Sequence, residues 1–175
     1  MLFRSRLEQS TSERDYFRVI GGKTGQLFAV SCLLGSRAAG AAIPHQTQLK
    51  QFGMRIGLAF QIADDVLDLT ETAEKTGKDA SNDLSNHRLT LPLIRALKLG
   101  SDHEQQRLRD LLTSSDADDQ VRLCDEPLVR QGVESAKSTA GHFVRRALRN
   151  LASLPSCPAR EILAGIAQFA IHRSA

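Results

Sequence analysis

The sequence predicts an all-α protein, a bundle of helices. Apolar residues recur at three- and four-residue spacing along most of its length. No alternating run of β-branched and aromatic residues lasts long enough to make a strand. Cap residues, prolines and short polar stretches divide the chain into helix-sized pieces.

A first helix is expected over about 12–40, with Ser12 as N-cap and Glu13 in the first turn. It holds Gly21, Gly22, Gly25, Gly35 and Gly40. Each costs up to roughly 1 kcal/mol against alanine in a helix, so close backbone packing or a kink is expected there. Pro44 ends the connection to a second helix over about 47–69. Residues 70–88, TETAEKTGKDASNDLSNHR, are polar and rich in turn formers, and read as a long loop of the kind that serves as a lid. Thr90-Leu-Pro-Leu93 opens a third helix, with Pro92 in its first turn. Residues 103–112 read as helix and 114–119, SSDADD, as an acidic turn. Two more helices are expected over about 128–152 and 158–172. One domain, 1–175, is long enough to bury a core.

Composition narrows the function classes. Hydrophobic residues are 41% and charged residues 25%, a soluble globular balance. With no Trp and one Tyr, a nucleic-acid module built on stacking aromatics is not expected. A net charge of +3 is too small to imply a polyanionic partner. Cys32, Cys124 and Cys157 are widely spaced and form no CxxC pair, so neither a zinc site nor a disulfide framework is indicated. No apolar run reaches the eighteen or so residues of a membrane span, and MLFRSRLEQ is not followed by an apolar block. A cytoplasmic location is expected.

The stretch FQIADDVLDL, 60–69, carries three carboxylates in apolar company. On a helix turning about 100° per residue, Gln61, Asp64, Asp65 and Asp68 share one stripe. A wet surface face would explain the acids, but the apolar flanks leave little room for one. Mg²⁺ is commonly held by one or two carboxylates, substrate phosphates and water. Asp64 and Asp68, one turn apart, suit that task, and Gln61 can hydrogen-bond a phosphate or water. Lys78 in the following loop could close over the anion as a point charge. A second motif, Gly21-Gly-Lys-Thr-Gly25, ends like a P-loop, GxxxxGK[ST]. Phe17 stands where that pattern needs its first glycine, and no strand precedes it. What remains is a lone lysine on a glycine-rich helix, or a helix presenting Lys23 and Thr24 sideways to a phosphate.

Taken in order, FQIADDVLDL, GKDASNDL (77–84) and TLP (90–92) resemble the trans-isoprenyl diphosphate synthases, the polyprenyl synthetase family. Tyr16 and GKTGQLF (22–28), with Cys32 and Gly35, are similar to the family's Lys-Thr helix. Leu154-Pro155 and FAIHR (169–173) resemble its carboxyl terminus. The resemblance covers nearly the whole chain but only about the second half of the family's usual length. It implies part of the isoprenoid synthase fold, an all-α bundle around a deep cavity. Two aspartate-rich helices face each other across that cavity's mouth in the family. The second motif is present here. The first, an upstream DDxxD, is not in the sequence, and Asp116-Ala-Asp-Asp119 is no substitute.

The implied activity is the Mg²⁺-dependent head-to-tail condensation of an allylic diphosphate with isopentenyl diphosphate. The allylic carbon–oxygen bond breaks, the alkene attacks the cation, and a proton is lost. The resemblance implies that Asp64, Asp65 and Asp68 serve the metal. Asp65 would orient ligands or metal-bound water. Lys23 and Lys78 would neutralise diphosphate oxygens, Thr24 and Gln61 would line the reacting end as uncharged polar groups, and Arg88 would be a further contact. The family has Gly-Lys before TLP where this chain has His87-Arg88; arginine keeps the charge and changes its geometry. The expected partners are the two diphosphates and either a second copy or a chain supplying the first aspartate-rich motif. Alone, without the first motif, the chain is expected to bind Mg²⁺-diphosphate weakly and not to condense isoprenoids efficiently. The alternatives are a non-catalytic partner of a complete synthase and, further off, a P-loop hydrolase.

Overall fold

The computed structural model describes residues 12–74, 89–114 and 116–171, without the side chains of 71–74 and 117. The described residues are helical with no strand. The helices are α1 (Glu13–Ile20), α2 (Gln26–Ala38), α3 (Ile43–Glu74), α4 (Leu91–Leu99), α5 (Asp102–Thr113), α6 (Ala117–Asp125), α7 (Pro127–Ala152) and α8 (Pro158–Phe169). A π-helical segment, Gly21–Gly25, joins α1 to α2.

The expected first helix is therefore one run with a widened turn in its middle. The amide of Gln26 reaches back to the carbonyl of Gly21, a spacing of five. Ser12 caps the start, accepting from the Asp15 amide at 3.2 Å. At the far end Gly40 takes φ +68, and two bonds close the turn: Ala41 N–H to Ser36 C=O and Gly40 N–H to Arg37 C=O. That pair is a Schellman motif, which places a glycine where an L side chain would be strained.

Three boundaries differ from expectation. Pro44 lies inside the first turn of α3, where a missing N–H costs nothing. Helix α3 also runs on through Glu74, so the polar stretch begins as helix. The acidic segment is a helix start: Asp116 accepts from the Asp118 amide at 2.9 Å, and Asp118 and Asp119 sit in the first turn of α6, where acids favour the helix dipole.

The chain falls into two compact units. The first comprises Met1–Tyr16 and Asp65–Ala136. Its core centres on α4, where Leu91, Leu93, Ile94, Ala96 and Leu97 are all buried. A Cβ on Gly132 would stand 2.1 Å from the Pro92 carbonyl oxygen, so only glycine lets α7 lie this close to α4. Arg95 binds Glu13 at 3.2 Å and donates to the Ser135 carbonyl at 2.8 Å. Its hydrogen bond is the main reason the Glu13 carboxyl stays below the ordinary range.

The second unit comprises Phe17–Asp64 and Lys137–Ala175. Phe52, Ile56, Ala59 and Ile62 of α3 supply one side of its core, and Ala140, Val144, Ala147 and Leu151 of α7 another. Both sets recur at three- and four-residue spacing, the apolar stripe of a core-facing helix. Phe17 and Phe143 pack ring to ring at 5.9 Å. Buried Asn150 accepts from Arg55 and donates to Gln48 and Gln51, so this polar group is satisfied inside the core.

Candidate functional site

The site is built on α3. Phe52, Ile56, Ala59, Ile62, Val66 and Leu69 form its buried apolar arc. At about 100° per residue, Gly53, Gly57, Gln61, Asp64 and Asp68 run along the neighbouring side as one row. Asp65 falls next to the apolar arc. That place buries Asp65; in the row itself Gln61 is buried, Asp64 half-buried and Asp68 exposed.

The glycine end of that row meets the backbone of the second unit's first helical run. A Cβ on Gly53 would stand 2.4 Å from the Phe28 carbonyl oxygen, and one on Gly57 2.8 Å from the Gly25 Cα. A Cβ on Gly25 would in turn come within 2.7 Å of the Met54 sulfur. Gly53 and Gly57 therefore allow backbones to touch, and Gly25 makes room for the Met54 side chain. One turn further along α3, that approach brings Thr24 to Gln61: the Thr24 hydroxyl donates to Gln61 Oε1 at 3.0 Å. The bond fixes which end of the Gln61 amide faces Thr24. Lys23, beside it in the π-helical segment, is exposed. Phe28 and Phe60 pair at 5.8 Å and place an apolar surface next to Gln61 in the chain.

Within the first unit, the buried Tyr16 hydroxyl donates to Asp65 Oδ2 at 2.6 Å. Burial, then the adjacent carboxylate, hold the phenol protonated far above its usual range. Tyr16 is thus a permanent donor that orients Asp65. Tyr16→Phe removes a hydrogen bond to a charged group and is expected to cost about 1.5–3 kcal/mol. Urea unfolding checks this through the midpoint; an unchanged midpoint would show that the hydroxyl does not hold Asp65.

The structure joins Thr24 to Gln61 and strings Gln61, Asp64, Asp65 and Asp68 along one helix. Lys78 and Arg88 lie outside the described residues. Sequence reasoning assigned no role to Tyr16 or to Gly57. Gly53, Gly57 and Gln61 follow one another at intervals of four, a signal that was there to be read.

Asp64 and Asp68 offer hard oxygen donors one turn apart on the accessible part of the row, a donor set suited to Mg²⁺. Among the described residues, no three His, Cys, Asp or Glu side chains gather closely enough to cage a metal. Two carboxylates sharing an ion with a diphosphate need no such cage. No helix among the described residues is long and apolar enough to cross a membrane.

Comparison with known proteins bears on the same helices. A family model described as polyprenyl synthetase matches residues 1–126. Heptaprenyl diphosphate synthase component 2 of Bacillus subtilis (strain 168) is 35% identical over 157 residues, 89% of this chain and 44% of that protein. A decaprenyl diphosphate synthase structure from Rhodobacter capsulatus superposes with a TM-score of 0.83 at 30% identity, covering 94% of this chain and 51% of that one. A polyprenyl synthase from Caulobacter crescentus CB15, solved with calcium and isoprenyl diphosphate, gives a TM-score of 0.82 at 31% identity, covering 99% and 53%. The chain spans about half the length of the curated relatives it matches.

Proposed function

Because the chain belongs to the polyprenyl synthetase family, we propose that it carries the diphosphate-binding half of a prenyltransferase site. The proposed reaction is the condensation of an allylic diphosphate with isopentenyl diphosphate. The single observation that carries this reading is the row on α3, where a glycine contact and the Thr24–Gln61 bond lead directly to Asp64 and Asp68. A relative crystallised with calcium and isoprenyl diphosphate supports a divalent cation and a prenyl diphosphate as the ligands.

Asp64 and Asp68 would hold Mg²⁺, which supplies the positive charge that a diphosphate leaving group needs. Asp65, held by Tyr16, would fix the register of the carboxylate row. Lys23 would neutralise diphosphate oxygens as a point charge. Thr24 and Gln61 would present polar, uncharged groups to the reacting end. The Phe28–Phe60 pair would keep water from the cation formed when the carbon–oxygen bond breaks. Lys78 and Arg88 would add charge from the polar stretch.

The sequence holds one aspartate-rich motif, so we assign the opposing carboxylates to another stretch of polypeptide, in the same chain or a partner. Leu27, Val30 and Leu34 form an exposed apolar row on α2, the helix that follows Lys23 and Thr24, and suit a completing helix. A relative named as component 2 of a synthase supports assembly with a different chain. Calorimetry with Mg²⁺ and inorganic diphosphate tests the reading. Binding heat is expected only when both are present. Diphosphate binding that is indifferent to the metal would refute it.

A further inference from the structure

The net charge of +3 conceals a segregation. Among described residues of the second unit, ten Lys and Arg stand against two carboxylates, Asp64 and Glu161. In the first unit, seven Lys and Arg stand against fifteen Asp and Glu. Eight of the nine large exposed apolar residues also belong to the second unit.

Helix α8 turns a row of large apolar side chains outward, while Leu163 is half-buried. It buries Ala167, and Ala170 just beyond it, while Ile162, Ile166 and Phe169 are 64%, 50% and 66% exposed. These three sit at i, i+4 and i+7, one continuous row. A helix stabilised by its own core would place the large side chains inward and the alanines outward. Arg160 anchors the start of α8, donating to the Leu154 carbonyl at 2.8 Å and to the Ser156 hydroxyl at 3.1 Å. On α7, Arg145, Arg146 and Arg149 are exposed.

We propose that α8 docks the second unit onto an anionic lipid surface, with Ile162, Ile166 and Phe169 entering the headgroup boundary and the basic excess drawing the unit to the membrane. A bilayer supplies both complements at once, apolar interior and negative charge. A second copy that meets this row with its own α8 supplies the first but brings the same positive charge, which opposes close approach. Twelve residues are too few to span and enough to lie in the interface. The docking does not rest on the diphosphate reading, and either can fail alone.

The test is flotation of the full chain with vesicles of equal parts phosphatidylcholine and phosphatidylglycerol, against pure phosphatidylcholine. The chain is expected to float with the anionic vesicles only, and less as salt rises. Substituting Ile162→Ser, Ile166→Ser and Phe169→Ser together should lower partitioning on the order of 10- to 100-fold. Helical content by circular dichroism should stay unchanged, because the side chains are exposed. R145Q with R149Q should weaken flotation and flatten its salt dependence. Equal flotation with both vesicle types, or none with either, would overturn the proposal. So would an oligomer in solution that the triple substitution dissolves, since a second copy would then own the row.

Discussion

Gly57→Val is expected to lower the unfolding free energy by about 2–3 kcal/mol. Two effects compete. Glycine costs a helix interior roughly 1 kcal/mol against alanine, and valine recovers part of that. Against this stands the contact: the first added carbon would lie 2.8 Å from the Gly25 Cα and 3.1 Å from the Thr24 carbonyl oxygen. Those are backbone atoms that no rotamer change can move, and valine adds two further methyl groups. The steric cost wins, and the helices must part where Thr24 meets Gln61. Gly35→Ala is the control, because nothing lies within 4 Å of its Cβ position. It should stabilise the protein by up to about 1 kcal/mol. Urea midpoints for the two variants should therefore move in opposite directions.

Asp64→Asn combined with Asp68→Asn is expected to weaken Mg²⁺-dependent diphosphate binding on the order of 100-fold or more. Losing groups that merely orient metal ligands costs about 10- to 100-fold, and here the charged donors themselves are removed. Asparagine keeps the shape and one of the two acceptor oxygens, so helicity should be unchanged by circular dichroism. Calorimetry reads the affinity. Retained affinity in the double variant would move the metal away from these two residues.

Much of the site was legible because it is local. The row from Gln61 to Asp68 follows from helical spacing alone, as does the apolar arc beside it. The glycines of the first helical run announced close packing, and Gly25 makes it. What lies on the other side of a contact was not legible. Tyr16 and Asp65 are 49 positions apart, and nothing in the spacing of either names its partner. The spacing of Gly53 and Gly57 marks a glycine face on α3, but that Gly25 is what lies against Gly57 is not in the spacing. Helix α6 was missed because an aspartate followed by two more reads as a turn, although the same residues make a good helix start. The charge segregation is invisible in the net charge because each unit is assembled from separated stretches of chain.

In the proposed site Asp64 and Asp68 jointly hold a divalent ion that grips a diphosphate. Replacing Mg²⁺ by paramagnetic Mn²⁺ in the presence of inorganic diphosphate, and recording backbone amide spectra, tests it directly. Strong broadening of the amides of Gln61, Asp64 and Asp68 is expected, lost in the doubly substituted chain. Broadening confined to the acidic start of α6, at Asp116, Asp118 and Asp119, with the α3 signals intact, would contradict it.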